Sequence, residues 1–318
     1  MRVCAHLDIP FLTFPFEDIY KKEVADYMIS EYKLGRTPNP DVMCNKYVKF
    51  GAFLEKALRM GADYVATGHY ARVAHVKSKK FKVKSKDFQL STFNFQLYTG
   101  LDPSKDQAYF LWTLDQEKLS KILFPIGHLK KTEVRKLAKK FKLPVAEKKD
   151  SQGICFLGAV DLKEFLKHYI KEKKGKVLDE DNEEIGYHNG VVFHTLGERH
   201  GFTILKKKPE DSPYYVIGKD IKKNILYVSQ KNSFNQSEVS KGQMGIKIKN
   251  INWISDIPKT SQKYQAQIRY HGELLSCRIK ILNKEETEIL FLKPTIVAQG
   301  QSIVIYDEDI CLGGGVVV

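Results

Sequence analysis

Apolar and polar positions along the chain change period more than once, and the changes mark out its organisation. Residues 9–16 (IPFLTFPF) form a short, nearly unbroken apolar run that predicts a strand. Over 18–34, Ile19, Val24, Tyr27, Met28 and Tyr32 recur at helical spacing, and Gly35 closes the segment. A second amphipathic helix is predicted over 46–60, ended by Gly61. Residues 63–67 (DYVAT) read as a buried strand that runs directly into Gly68-His69-Tyr70. A glycine just past a strand, followed by a polar residue, is where an open parallel sheet holds a ligand. Over 76–100, lysines alternate with apolar and aromatic residues as in a hairpin. That hairpin is either a sheet edge with a solvated basic face or a contact for an RNA backbone. A lysine-rich helix follows at about 130–142.

From about residue 174 the pattern shortens. Turn signals such as LDEDNEE and YHNG separate short strand-like runs, GVVFHT, YYVIG and ILYVSQ. From about 240 to the end it is almost purely β, and several short strands at even spacing predict a small barrel or sandwich. The fold class expected is an α/β N-terminal domain on a parallel sheet (1–165), a small α+β or β central domain (166–233) and a C-terminal β-barrel (234–318).

Composition narrows the function classes. No apolar run approaches the roughly 20 residues that a membrane span requires. The opening MRVCAHLDIP lacks the plan of a signal peptide, so the chain reads as cytosolic with no membrane partner. The formal charge is +14, from 52 basic and 38 acidic side chains. Such an excess suits a polyanion, nucleic acid above all, although a solvated lysine-rich surface produces the same number. The five cysteines are Cys4, Cys44, Cys155, Cys277 and Cys311. None lies in a CxxC or in a Cys/His cluster with zinc spacing, so no metal site and no structural disulfide framework are expected.

Two of these cysteines sit in turn-forming, charged surroundings. Cys44 follows Asn39-Pro40-Asp41, whose proline pushes the preceding residue out of helical geometry, so the thiol is expected at or near a helix start. Cys155 follows Lys148-Lys149-Asp150-Ser151-Gln152-Gly153. Unpaired backbone N–H groups and lysines favour the thiolate, the form that attacks. Two activated thiols on one α/β domain can carry and receive sulfur. Cys4, Cys277 and Cys311 are read as packing residues.

GRTPNPDVMCN, GADYVATGHYAR, KDQAYFLWTL, FPIGHLKKTEVRKLA, KKDSQGICFLG, FHTLGERHG and CLGGG together resemble the tRNA-specific 2-thiouridylase family, the tRNA-uridine 2-sulfurtransferases. The matches run in family order from about residue 10 to the C-terminus. The resemblance implies an adenine-nucleotide α-hydrolase-like N-terminal domain, and a reaction in which ATP, with Mg2+, adenylates the uracil C2 oxygen of a wobble uridine. Sulfur from a cysteine persulfide, loaded by a sulfur-relay donor protein, then displaces AMP. Carried over by position, Cys44 is the nucleophile, Cys155 the persulfide carrier, and the two close a transient disulfide. Asp41 is the acid/base group. Asn39, Pro40 and Asp41 touch the target base, Gly68 contacts ATP, and His69, Lys105, Asp106, Gln107, Arg269, Tyr270 and Gln301 contact tRNA. Read without the family, His69 is also a strand-end histidine bonded to backbone, Arg269 and Tyr270 outward strand residues, and His194 and Arg199 structural or RNA-facing.

In one respect the sequence departs from the family. Family members open on an SGGxDS loop whose backbone N–H groups bind ATP phosphates, and the 318 residues contain no such loop. Gly313-Gly314-Gly315 lies too far along the chain to replace it. Two explanations are expected to compete: a reading that starts downstream of the true one, which the retained Cys44, Cys155 and Asp41 favour, or a shortened form that keeps RNA docking and loses adenylation. On either, weak ATP binding and an apolar sheet edge are expected. The leading function is ATP-dependent 2-thiolation of tRNA. The alternatives are a tRNA-binding module without catalysis and a dithiol oxidoreductase.

Overall fold

The computed structural model describes residues 1–76, 94–148, 158, 161–205, 212–230, 245–293 and 295–318. Cys155 and the body of the 76–100 hairpin lie outside these residues.

Two long helical rods dominate the N-terminal unit. The first is continuous over 17–33, with a π-helical middle at Lys21–Asp26. The second runs over 40–59, with a π-helical middle at Cys44–Phe53. It therefore begins six residues before the apolar period suggests. Asn39 explains the early start: its side chain accepts from Val42 N, and Pro40 takes the first helical position, where a missing N–H costs nothing. Strand β1 (Val65–Ala66) follows. The antiparallel pair β2 (Ala71–Val76) and β3 (Asn94–Thr99) comes next, then β4 (Ile122–Leu123), which pairs parallel with β1. Among the described residues the parallel sheet consists of these two strands. A basic helix, Lys131–Lys140, buries no side chain.

Residues 9–16 are not a strand. They run irregularly, with Ile9, Phe11 and Leu12 exposed. Pro10 and Pro15 remove two ladder donors from a run of eight, which leaves too few N–H groups to hold a sheet edge.

The central unit is a five-stranded sheet in the order β7-β6-β5-β9-β8, with β5 (Gly175–Leu178), β6 (Glu184–His188), β7 (Phe202–Ile204), β8 (Tyr215–Asp220) and β9 (Ile225–Ser229). Only β5 and β9 are parallel. The GVVFHT run is a short 3₁₀ turn at Val191–Phe193 instead of a strand. Gly190 precedes it at φ 145°, a conformation that a side chain resists, and turns the backbone out of the sheet.

The C-terminal unit contains β10 (Gly245–Trp253), β11 (Tyr264–Gln267), β12 (Leu274–Ile281), β13 (Thr287–Phe291), β14 (Ser302–Asp307) and β15 (Ile310–Val317). These six strands close into a barrel because β15 pairs with both β14 and β10. The three glycines of CLGGG make that closure possible. A Cβ on Gly313 would lie 2.0 Å from Asn252 O, and one on Gly314 2.3 Å from Ile303 O, so only bare backbone fits between the flanking strands.

One connection is invisible to local pattern. The β2–β3 hairpin leaves the N-terminal unit and adds to the barrel, with Cys311 opposite Leu97 and Ile310 opposite Tyr98. Leu97, Tyr109, Trp112, Ile254, Val304, Tyr306 and Cys311 consequently share one core across the two units. Among the described residues no helix is long and apolar enough to cross a membrane.

Candidate active site

The residues singled out above fall into two groups, one around the start of the second helical rod and one buried in the frame that holds it. Asn39 is the helix N-cap, with Pro40 and Asp41 in the first turn, where N–H groups have no partner within the helix and the helix end is partly positive. Cys44 lies one turn further in. Its thiol does not rest on the bend. It is completely buried, packed with Tyr20, Val24 and Val48 and flanked by Phe16 and Met43. Placement inside the helix follows from Pro40: once the rod starts there, residue 44 is on the face that packs on the first rod. Asn45, next to it, is 2% exposed and donates to Phe110 O at 3.2 Å.

The barrel approaches this helix start through a turn. Arg269 and Tyr270 sit just past β11 instead of within a strand, and Gly272 N closes the turn onto Arg269 O. Arg269 is exposed. The Tyr270 ring lies 4.4 Å from Phe110 and 3.9 Å from His271. Burial raises the Tyr270 hydroxyl above its ordinary pKa, and the charges of Asp106 and Asp41 add to the effect, so barrel residue and helix start feel one another. Tyr109 completes the arrangement. Its hydroxyl donates to Ser302 O at 3.0 Å, and burial pushes its pKa well up against a hydrogen bond with the Asn39 side chain. In sequence Tyr109 and Phe110 are only part of an apolar run. Their signal is membership of the KDQAYFLWTL motif, just past Gln107.

Other expected contact residues have structural occupations. Asp106 Oδ1 accepts from Gly100 N at 2.7 Å and Ala108 N at 3.2 Å, and desolvation raises its pKa despite those bonds. Gln107 Oε1 accepts from Tyr70 N. Gln301 Nε2 donates to Thr37 O at 2.7 Å. Lys105 is half-buried. His69 is enclosed between Phe50 and Phe124, with Nδ1 2.8 Å from the Thr67 hydroxyl. Its partner is that hydroxyl, not backbone. Desolvation, with Lys49 second, lowers its pKa to about 3, so the ring is neutral. His194 is wholly buried and structural, while Arg199 is exposed. Cys277 and Cys311 are buried packing thiols, and burial pushes Cys277 up to about 12. Cys4 is half-buried.

Gly68 lies beyond the carboxyl end of β1, and a Cβ added there would meet only Ile126 Cδ1, at 3.9 Å. Open backbone at that end of a parallel strand fits the close approach of a nucleotide. Among the described residues no group of three His, Cys, Asp or Glu is placed to hold a metal ion.

An α/β unit followed by a small central sheet and a closed β-barrel is the three-domain architecture that comparison with known proteins assigns to tRNA-modifying enzymes. Residues 1–159 match the tRNA methyl transferase HUP domain, 163–230 the tRNA methyl transferase PRC-barrel domain, and 236–317 the aminomethyltransferase beta-barrel domain. The chain is 43% identical over 321 residues to the tRNA-specific 2-thiouridylase MnmA of Geobacillus thermodenitrificans, covering 100% of this chain and 80% of that protein. Against the namesake of Buchnera aphidicola identity is 43% over 320 residues, covering 99% and 82%. For that of Bacillus subtilis it is 41% over 320 residues, covering 100% and 80%. The chain belongs to the tRNA-specific 2-thiouridylase family.

Proposed function

We propose that this chain is a cytoplasmic tRNA-uridine 2-sulfurtransferase that replaces the C2 oxygen of a wobble uridine by sulfur. The observation that carries the proposal is that Asn39 and Asp41 at one helix start are met by Tyr109 and Tyr270, with Cys44 buried one turn further in. An anticodon loop supplies unstacked bases, and aromatic rings beside a helix N-terminus suit a splayed-out uracil. Asn39, Pro40 and Asp41 contact that base. Lys105 and Arg269 bring positive charge to the RNA backbone, and His69, Asp106, Gln107 and Gln301 hold the surrounding loops in place for it.

Uracil O2 is a poor leaving group, and ATP, with Mg2+, supplies activation by turning it into an AMP ester; Gly68 is the backbone position for that nucleotide. Asp41 holds or accepts the proton that moves at the base. The terminal sulfur of a Cys155 persulfide, delivered by a donor protein, attacks C2 and AMP leaves. The Cys44 thiolate then attacks the Cys155 sulfur. The S–S bond to the transferred atom breaks, 2-thiouridine departs, and the electrons balance as a Cys44–Cys155 disulfide that an external thiol reduces. A persulfide is more acidic than a thiol and so is the better donor at neutral pH.

The test is 2-thiouridine content, by mass analysis of nucleosides, in tRNA from a deletion strain carrying this chain or its Cys155→Ser variant. Restoration by the first and not the second supports the proposal. A second reading, an RNA-docking protein without catalysis, draws on the complete burial of Cys44. It requires that neither chain restores the modification while both bind the anticodon arm.

A further inference from the structure

The four residues that lead into Asn39 are held from both sides by the accessory domains. Gly35 ends the first helical rod at φ 75°, and the turn after β8 seats against it so closely that a Cβ would lie 2.4 Å from Ile221 Cδ1. From the end of β8, Lys219 Nζ donates to Gly35 O and to His194 O, each at 2.7 Å. On the opposite side Thr37 N donates to Gln299 O at 2.8 Å, Gln301 Nε2 donates to Thr37 O, and Gly300, at φ 87°, lies over the Thr37 backbone. The Thr37 hydroxyl pairs with that of Thr195 at 3.1 Å. Two residues further on, the backbone delivers Asn39 and Asp41.

We infer that Lys219 is a positioning residue for the uridine site: from the central domain it fixes the Gly35–Thr37 segment and thereby the stance of Asn39 and Asp41. The inference rests on the sulfurtransferase reading for the identity of the site, and on the contacts alone for the clamp. An ammonium has donors and no acceptor, so two carbonyls of different domains are well matched to it, and a charge-assisted bond is stronger and more directional than apolar packing. Burial lowers the Lys219 pKa to about 8, a cost that an anchoring role explains and a surface lysine would not bear. A side chain at Gly35 would collide with Ile221, and Gly300 packs on the Thr37 backbone, so the clamp couples segment 35–38 to both accessory domains. RNA seated on those domains is thus coupled to Asn39.

Hydrogen exchange on the intact chain tests the clamp without RNA. In Lys219→Met the amides of Thr37, Val42 and Met43 should exchange about tenfold faster, the effect of losing one charge-assisted hydrogen bond, while amides of β14 stay within about twofold of wild type. Lys219→Arg, which donates to both carbonyls, should restore most of the protection. Unchanged exchange in Lys219→Met, acceleration spread equally over β14, or an Arg variant no better than Met overturns the inference. Gln301→Leu, which loosens Thr37 from the barrel side, provides a second variant with the same expected pattern. In a parallel arm, two anticodon stem–loops that differ only in uridine or cytidine at the wobble position are titrated. Wild type should prefer uridine, and Lys219→Met should lose that preference while binding the cytidine loop within about twofold of wild type. A wild type without preference counts against the sulfurtransferase reading, and the exchange arm still decides the clamp.

Discussion

The ring of Tyr270, in the turn after β11, lies 4.4 Å from the ring of Phe110 at an interplanar angle of 44°. One belongs to the barrel and the other to the α/β unit, so the aromatic wall facing Asn39 and Asp41 exists only when the two are assembled. If it stacks a nucleobase, Tyr270→Ala should weaken binding of an anticodon stem–loop by about tenfold, because base stacking is worth roughly 1–3 kcal/mol. Tyr270→Phe should bind within about twofold of wild type. Fluorescence titration at fixed salt checks both, and equal affinities for the Ala and wild-type chains would remove the wall from the site.

Cys44 fills a buried position on its helix, and its chemistry can be separated from its packing. Cys44→Ser should eliminate 2-thiouridine formation and cost about 1 kcal/mol of stability, the scale of placing a hydroxyl among apolar side chains. Nucleoside mass analysis and urea unfolding read the two effects. Persistent thiolation would show that Cys44 only packs.

The neutral His69 makes a signed pH prediction. Its folded pKa, about 3, lies below the ordinary 6.5, so between those values the unfolded chain binds a proton that the folded chain refuses. Stability should therefore fall as pH drops through that window, by up to about 1.4 kcal/mol per pH unit from this group. Urea midpoints measured from pH 7 to pH 4 should show a steeper decline for wild type than for His69→Leu. Parallel declines would place the loss elsewhere.

Barrel closure depends on Gly313, at φ 132° and with Asn252 O where a Cβ would stand. Gly313→Ala should cost about 3 kcal/mol or more, combining left-handed strain with forced separation of β15 from β10. Gly61→Ala, at φ 93° but with open space around it, should cost about 1 kcal/mol. Thermal unfolding of the two variants gives the comparison, and similar losses would mean that the barrel yields at residue 313.

Local pattern carried the two long helical rods, the basic helix and most barrel strands. A 3.6-residue recurrence marks 18–34, and alternation marks β12, where Cys277 and Ile279 point inward and Arg278 and Lys280 outward. Pattern failed where backbone donors decided the matter. Pro10 and Pro15 disqualify a convincing apolar run, Gly190 turns GVVFHT out of the sheet, and Asn39 starts a helix before its apolar stripe begins. In the candidate site the motif residues were legible one by one. Their division into those at the helix start and those bonded into the frame around it was not, since the Asp106 and Gln107 side chains are committed to backbone N–H groups that sequence spacing cannot reveal.

From its sequence alone this chain settled its family and its three successive units, because periodicity, turn residues and motif order are properties of neighbours. Tertiary structure alone decided that a hairpin from the first unit completes a sheet of the third, that Cys44 is enclosed, and that Thr37 is gripped by both accessory domains. Those outcomes depend on which distant carbonyls and N–H groups meet once water is excluded, and burial forces each such group to find a partner.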